Sequence, residues 1–173
     1  CKNIMSIEFS QLSGEPVIAE RLDKQTWRIE NNKQGYRVKY RVYAFDTSVR
    51  TAYLDSERCF FNGTSTFLRV DEYAESQQYV TIEKPKTCTT WRLATGLPRE
   101  TGDNFSFGTF SAPNYLDLID YPVEMADFDT VTFDVAGVPH HVVVSGRHYG
   151  DLDRIARDLQ PLCQHHIDYF GGT

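Results

Sequence analysis

A chain of 173 residues that is 40% hydrophobic and 13% aromatic can bury the core of one full domain, or of one domain and part of another. Its 24 acidic residues against 18 basic ones leave a formal charge of −6, which argues against a nucleic-acid partner, because affinity for phosphates rests on Lys and Arg. No apolar run approaches the roughly 20 residues of a membrane helix, and the first residues lack the charged-then-apolar order of a signal peptide, so no membrane partner is expected either.

Residues 2–110 read mainly as strands. The clearest is 36–45, where Tyr36, Val38, Tyr40 and Val42 alternate with Arg37, Lys39 and Arg41, the period-2 pattern of a half-buried antiparallel strand. Weaker runs lie at 4–9, 17–22, 26–30, 66–70, 79–83, 90–93 and 105–110. Turn signals separate them, among them Ser13-Gly14-Glu15-Pro16, Asn31-Asn32-Lys33-Gln34-Gly35 and Asn62-Gly63. Short strands at this spacing predict a mainly β chain whose N-terminal domain is an antiparallel β-sandwich.

After Phe110 the pattern changes. Ser111 is placed as the cap of a short helix through Tyr115 to about Ile119, which Pro122 ends. Residues 130–135 and 140–144 form a hairpin candidate joined at Ala136-Gly137-Val138-Pro139. A C-terminal helix starts at Asp151: Leu152, Ile155, Ala156, Leu159, Leu162 and Cys163 share one face. Pro161 is expected to kink or split it, and Gly171-Gly172 to stop it. The compositional divide falls at 120/121, giving a strand-rich domain over 1–120 and a hairpin and helix over 121–173.

Side-chain chemistry is sparse. Cys1, Cys59, Cys88 and Cys163 are scattered with no C-x-x-C pair and read as free buried thiols rather than a disulfide framework. Asn62-Gly63-Thr64 and Asn104-Phe105-Ser106 match a glycosylation tripeptide that is common by chance. His140, His141, His148, His165 and His166 contain no i, i+4 pair, so no metal site is expected within the chain. Asp117, Asp120 and Glu124 admit a paired acid–base reading, against which stands the plainer one of cap and turn acids. No nucleophile elbow or phosphate-cradling loop is present. Trp27 and Trp91 read as core residues.

Several segments resemble one family. Leu22-Asp23-Lys24-Gln25-Thr26-Trp27-Arg28-Ile29, Val38-Lys39-Tyr40-Arg41-Val42-Tyr43-Ala44-Phe45-Asp46, Phe60-Phe61-Asn62-Gly63-Thr64 and Trp91-Arg92-Leu93-Ala94-Thr95-Gly96-Leu97 are similar, in order, to the front half of the glycyl aminopeptidases. The most specific segments are Tyr115-Leu116-Asp117-Leu118-Ile119-Asp120-Tyr121-Pro122-Val123-Glu124 and Phe133-Asp134-Val135-Ala136-Gly137-Val138-Pro139-His140. These are zinc metallopeptidases with a PDZ domain. The resemblance implies a strand-rich N-terminal domain leaning on a thermolysin-like catalytic domain whose first hairpin and helix would be 121–173. The family's Pro-Gly-Ser-Tyr region, its Gly-Gly-Leu-Glu-His segment, its zinc motif and its PDZ domain do not occur here, so the chain is read as a non-catalytic fragment.

On that reading no catalytic or metal residue lies in the chain, zinc belongs to the intact parent, and the partners are the parent's catalytic domain and its peptide substrate. Self-association through the apolar face of the last helix is also expected, since that face would normally meet absent segments. Glu124 is the substrate-binding candidate. An aminopeptidase must recognise a cationic amine, and a carboxylate beside the 120/121 divide can do so by a charge-assisted hydrogen bond; a salt bridge holding the seam is the plainer alternative. The competing function is a free-standing β-sandwich module that holds peptide or carbohydrate through Tyr and Trp.

Overall fold

The computed structural model describes residues 3–30 and 34–171, so Cys1, the tip of the turn at 31–33 and Gly172 lie outside the described residues. In chain order come strands β1 (Ile4–Gln11), β2 (Glu20–Arg21), β3 (Trp27–Arg28), β4 (Tyr36–Val42), β5 (Ala52–Leu54) and β6 (Arg58–Phe61). A short helix α1 (Gly63–Thr66) and a 3-10 turn (Asp71–Tyr73) lead to β7 (Gln78–Ile82), β8 (Arg92–Thr95) and β9 (Gly108–Ala112). Helix α2 (Tyr115–Asp120), strands β10 (Val123–Ala126), β11 (Phe128–Val135) and β12 (Val138–Ser145), and helix α3 (Leu152–Tyr169) complete the chain. The fold is mainly β with antiparallel pairing, as the sequence predicts.

Strand β4 keeps the alternation of its sequence: Tyr36, Val38, Tyr40 and Val42 are half-buried and the residues between them exposed. It pairs with β1, while β2 pairs with β3, β7 with β9 and β11 with β12. The central sheet has the order β5-β6-β10-β8. Its core face, with β9 and α2, buries Trp91, Leu93, Leu97, Phe110, Ala112, Leu118, Val123 and Met125, and Leu93 and Val123 are wholly excluded from solvent. Residues 123–126 lie past the divide read from composition, yet β10 is hydrogen-bonded on both sides within this sheet. Strand β10 is therefore an inner strand of the central sheet.

Several expectations are corrected. Residues 66–70 form no strand, because Asn62 caps α1 by accepting from Thr64 N and the chain leaves that helix extended at Phe67. Ser111 is not a helix cap but is buried in β9, donating to Glu100 at 2.5 Å. The cap of α2 is Asn114, whose Oδ1 accepts from Asp117 N at 2.9 Å. The strand expected at 105–110 starts at Gly108, since Phe105 has a φ of 63°, outside the extended region. Trp91 is in the core, whereas Trp27 is only half-buried, 6.3 Å from the Phe9 ring.

The hairpin turn is tighter than the sequence suggests. Ala136 and Gly137 alone connect β11 and β12 with φ of 52° and 81°, the doubly left-handed pair that matches strand twist in a two-residue turn, and Asp134 accepts from Gly137 N at 2.9 Å. Helix α3 is capped by Asp151 and runs unbroken through Pro161. Pro161 and Arg157, whose carbonyl loses its donor, are both exposed, so water can satisfy that carbonyl and the helix does not split. The helix lies on β11, with Ala156 buried, Leu152, Ile155 and Leu159 half-buried, and Gln160 donating to Asp134 O at 2.9 Å.

Gly63 is where α1 meets α2: a Cβ placed there would stand 2.6 Å from the Ile119 Cα, a backbone atom that cannot swing aside. Gly63→Ala should therefore destabilise the fold by about 1–3 kcal/mol, read as a lower urea midpoint. A midpoint equal to wild type would mean that the helices do not approach this closely.

Candidate functional site

Register across the central sheet decides what surrounds Glu124. On β10, Val123 and Met125 point into the core, so Glu124 and Ala126 belong to the other face. Following the pairing outward gives one row over five strand segments: Phe45 opposite Tyr53, Tyr53 opposite Phe60, Phe60 opposite Glu124, and Glu124 opposite Ala94. The Phe45 and Tyr53 rings stack at 5.4 Å. Three aromatic residues thus lead from the sheet edge to a carboxylate on an inner strand.

Arg58, on the neighbouring strand, meets two members of this row. Its guanidinium carbon lies 5.7 Å from the Tyr53 ring centroid, and its Nε lies 3.6 Å from Glu124 Oε1. That separation makes an ion pair but not a hydrogen bond, and both atoms are buried without a hydrogen-bond partner. The Glu124 side chain is 17% exposed. Beside them Asp55 accepts from the backbone N–H groups of Arg58 and Glu57, at 2.8 Å each, and from the Tyr53 hydroxyl at 2.9 Å. These donors hold its carboxyl below the usual range, and the same bond to Asp55 raises the Tyr53 phenol.

Beyond the end of the row is an open cleft of about 550 Å³ lined by Asn3, Tyr43, Phe45, Asp46, Thr47 and Tyr53. Neither Trp27 nor Trp91 lines it. Tyr53, Arg58, Phe60 and the cleft residues were missed as site residues from sequence. The available signal was that Tyr43 and Phe45 stand two apart, as cleft residues on one extended segment must.

The remaining candidates are dispersed. Asp117 accepts from the Asn114 side chain at 2.6 Å, Asp120 is exposed at the end of α2, and Glu124 faces Arg58, so the three carboxylates have three different surroundings. His141 meets Thr132 at 2.8 Å and the Phe105 ring at 5.3 Å, while His140 stacks on Phe133. His148 pairs with Asp129 at 3.0 Å, and His165 and His166 are exposed on α3. Among the described residues no three His, Cys, Asp or Glu side chains gather as a metal-binding group. Cys59, Cys88 and Cys163 are free thiols. Asn62 is occupied as a helix cap, and Asn104 is exposed.

The fold defines a class: residues 1–127 match the Peptidase M61 N-terminal domain, and the chain belongs to that family. A solved structure of an aminopeptidase N family protein from Idiomarina loihiensis is similar over 99% of this chain, with 37% identity and a TM-score of 0.94. The chain spans 29% of that protein's length. None of the curated proteins compared with it matches.

Cys59 lies on the core face opposite Met125. Burial, and secondarily the Glu124 charge, push its thiol up to about 11. Between the unfolded value of about 8.5 and 11 the unfolded chain releases a proton that the folded chain retains, so stability falls as pH rises through this window. Cys59→Ala should remove part of that alkaline loss in denaturation curves, and native Cys59 should resist thiol reagents at neutral pH until urea unfolds the chain. Fast labelling of native Cys59 would contradict this assignment.

Proposed function

We propose that this chain is the substrate-side, non-catalytic N-terminal portion of a zinc aminopeptidase of the glycyl aminopeptidase type, whose catalytic and PDZ domains belong to the remainder of the parent protein. The family match over residues 1–127, together with a 0.94 TM-score to a protein of which the chain spans 29%, carries this reading. Zinc would polarise the peptide carbonyl and activate water in the parent, held by residues other than those of this chain. The chain's own task is to pack beside the catalytic domain and shape the substrate side of the seam.

Within that reading Glu124 receives the substrate's N-terminal amine. It stands on an inner strand with Oε1 buried against Arg58 and the side chain 17% exposed, and the exposed part of the carboxylate can accept from a cationic donor. Arg58 is the competing partner at 3.6 Å. In the parent enzyme Glu124→Gln should raise KM for free-amine peptides, leave N-acylated ones unaffected and keep the melting temperature nearly unchanged, because the amide keeps the carboxylate's shape and the pair it replaces makes no hydrogen bond. Early melting with normal kinetics in the cold would make Glu124 structural and leave the pair with Arg58 as its role.

Helix α3 also bears on partners. Leu162, Tyr169 and Phe170 are 50%, 76% and 80% exposed, and such surface is buried by association. The isolated chain should dimerise at high concentration, read by light scattering, and Leu162→Lys with Phe170→Lys should restore a monomer. A wild-type chain that stays monomeric would refute this. A second reading, a peptide- or carbohydrate-binding module, is favoured by one observation, the aromatic cleft at the sheet edge.

A further inference from the structure

The cleft at the edge of the central sheet has a composition that selects its ligand. Tyr43 and Phe45 are 55% and 62% exposed, and Tyr53 backs Phe45 by stacking, so Phe45 presents a supported ring to solvent. Asp46 is the one ionisable carboxylate in the lining. Its Oδ1 accepts from Ser48 N at 2.9 Å, which fixes the side chain at the rim and leaves Oδ2 and the second lone pair of Oδ1 for donors from outside. An aromatic face beside an anchored carboxylate, on a chain of charge −6, is complementary to a flat cation.

The chain uses this pairing repeatedly on its own residues. Arg92 lies 4.4 Å from the Phe128 centroid, Arg99 lies 4.6 Å from that of Phe110, and Arg58 lies 5.7 Å from that of Tyr53 at the inner wall of the cleft. We propose that the cleft formed by Tyr43, Phe45, Asp46 and Tyr53 is a binding site for an arginine side chain presented by a peptide, its guanidinium lying on Phe45 and forking onto the Asp46 carboxylate. Arginine is favoured over lysine because a planar, weakly hydrated guanidinium can stack and donate two parallel bonds at once, whereas an ammonium keeps its water and acts as a point charge. The site is independent of Glu124 and of the peptidase reading.

The test is a two-dimensional amide NMR titration of the 173-residue chain with N-acetyl-arginine methylamide, its lysine counterpart and its norleucine counterpart. Arginine should move the amides of residues 43–54 saturably, lysine should bind at least about 3-fold more weakly, and norleucine should not saturate. Asp46→Asn should weaken arginine binding by about 5-fold or more, while its amide oxygen still accepts from Ser48 N and keeps the turn. Phe45→Leu, at an exposed position, should do the same without unfolding the chain. Saturation by norleucine at these residues would make the cleft a plain apolar groove, and unchanged affinity in Asp46→Asn, or shifts confined to other regions, would equally overturn the proposal.

Discussion

The structure depends on β10 being an inner strand. It is four residues long, yet it is hydrogen-bonded to β6 on one side and β8 on the other, so it joins segments far apart in the sequence into one sheet. Its register is fixed by burial: Val123 is fully buried and Met125 nearly so. A slip of one residue would drive Glu124 into the core formed with Leu93, Phe110 and Leu118 and expel Val123, exchanging a buried aliphatic for a buried charge. That penalty makes the position of Glu124 a consequence of core packing rather than of any local preference.

Once β10 is seated, the outer face of the sheet follows. Arg58 and Arg92 flank Ala126 from either side, and the row from Phe45 to Glu124 lies beside them. The two arginines are held differently. Arg92 is fixed by two rings and by donating to Phe128 O, whereas Arg58 faces Glu124 at 3.6 Å without a hydrogen bond. A charge pair that close but not hydrogen-bonded keeps its Coulomb attraction and leaves its directional capacity unused. Glu124 Oε1 is therefore left without a hydrogen bond, while Asp55 spends its acceptors on two backbone N–H groups and Tyr53.

The sequence is legible where one physical signal dominates. The alternation of 36–42, the cap at Asp151 with its apolar face, and the hairpin around Gly137 each announce themselves locally, and each exists. Strands β5, β6 and β10 do not: they are three or four residues long, too short to establish a period, and owe their extended form to partners distant in sequence. The same limit hid the site. Glu124 could be singled out as an acid after Pro122, but Arg58, Tyr53 and Phe60 become its neighbours only through sheet register. Ser111 misled because a serine before Ala112-Pro113 satisfies the local rule for a helix cap, while tertiary pairing with β7 takes that residue into a strand.

What ties the C-terminal hairpin to the sheet is a small aromatic joint. Phe128, the first residue of β11, is 3% exposed, and the Phe105 ring meets it edge-on at 5.7 Å and His141 of β12 at 5.3 Å. Phe105 reaches this place because its backbone adopts a φ of 63°, which costs a non-glycine residue roughly 1–3 kcal/mol and is offset by ring packing and by its carbonyl accepting from Leu93 N at 2.9 Å. Arg92, the strand residue next to Leu93, lies over both rings. One residue, Asp127, separates β10 from β11, so the covalent link and the aromatic contact sit at the same point. Because Phe128 pairs with Ser145, this joint fixes the Phe128–Ser145 end of the ladder against the sheet, while the Ala136-Gly137 turn closes the opposite end.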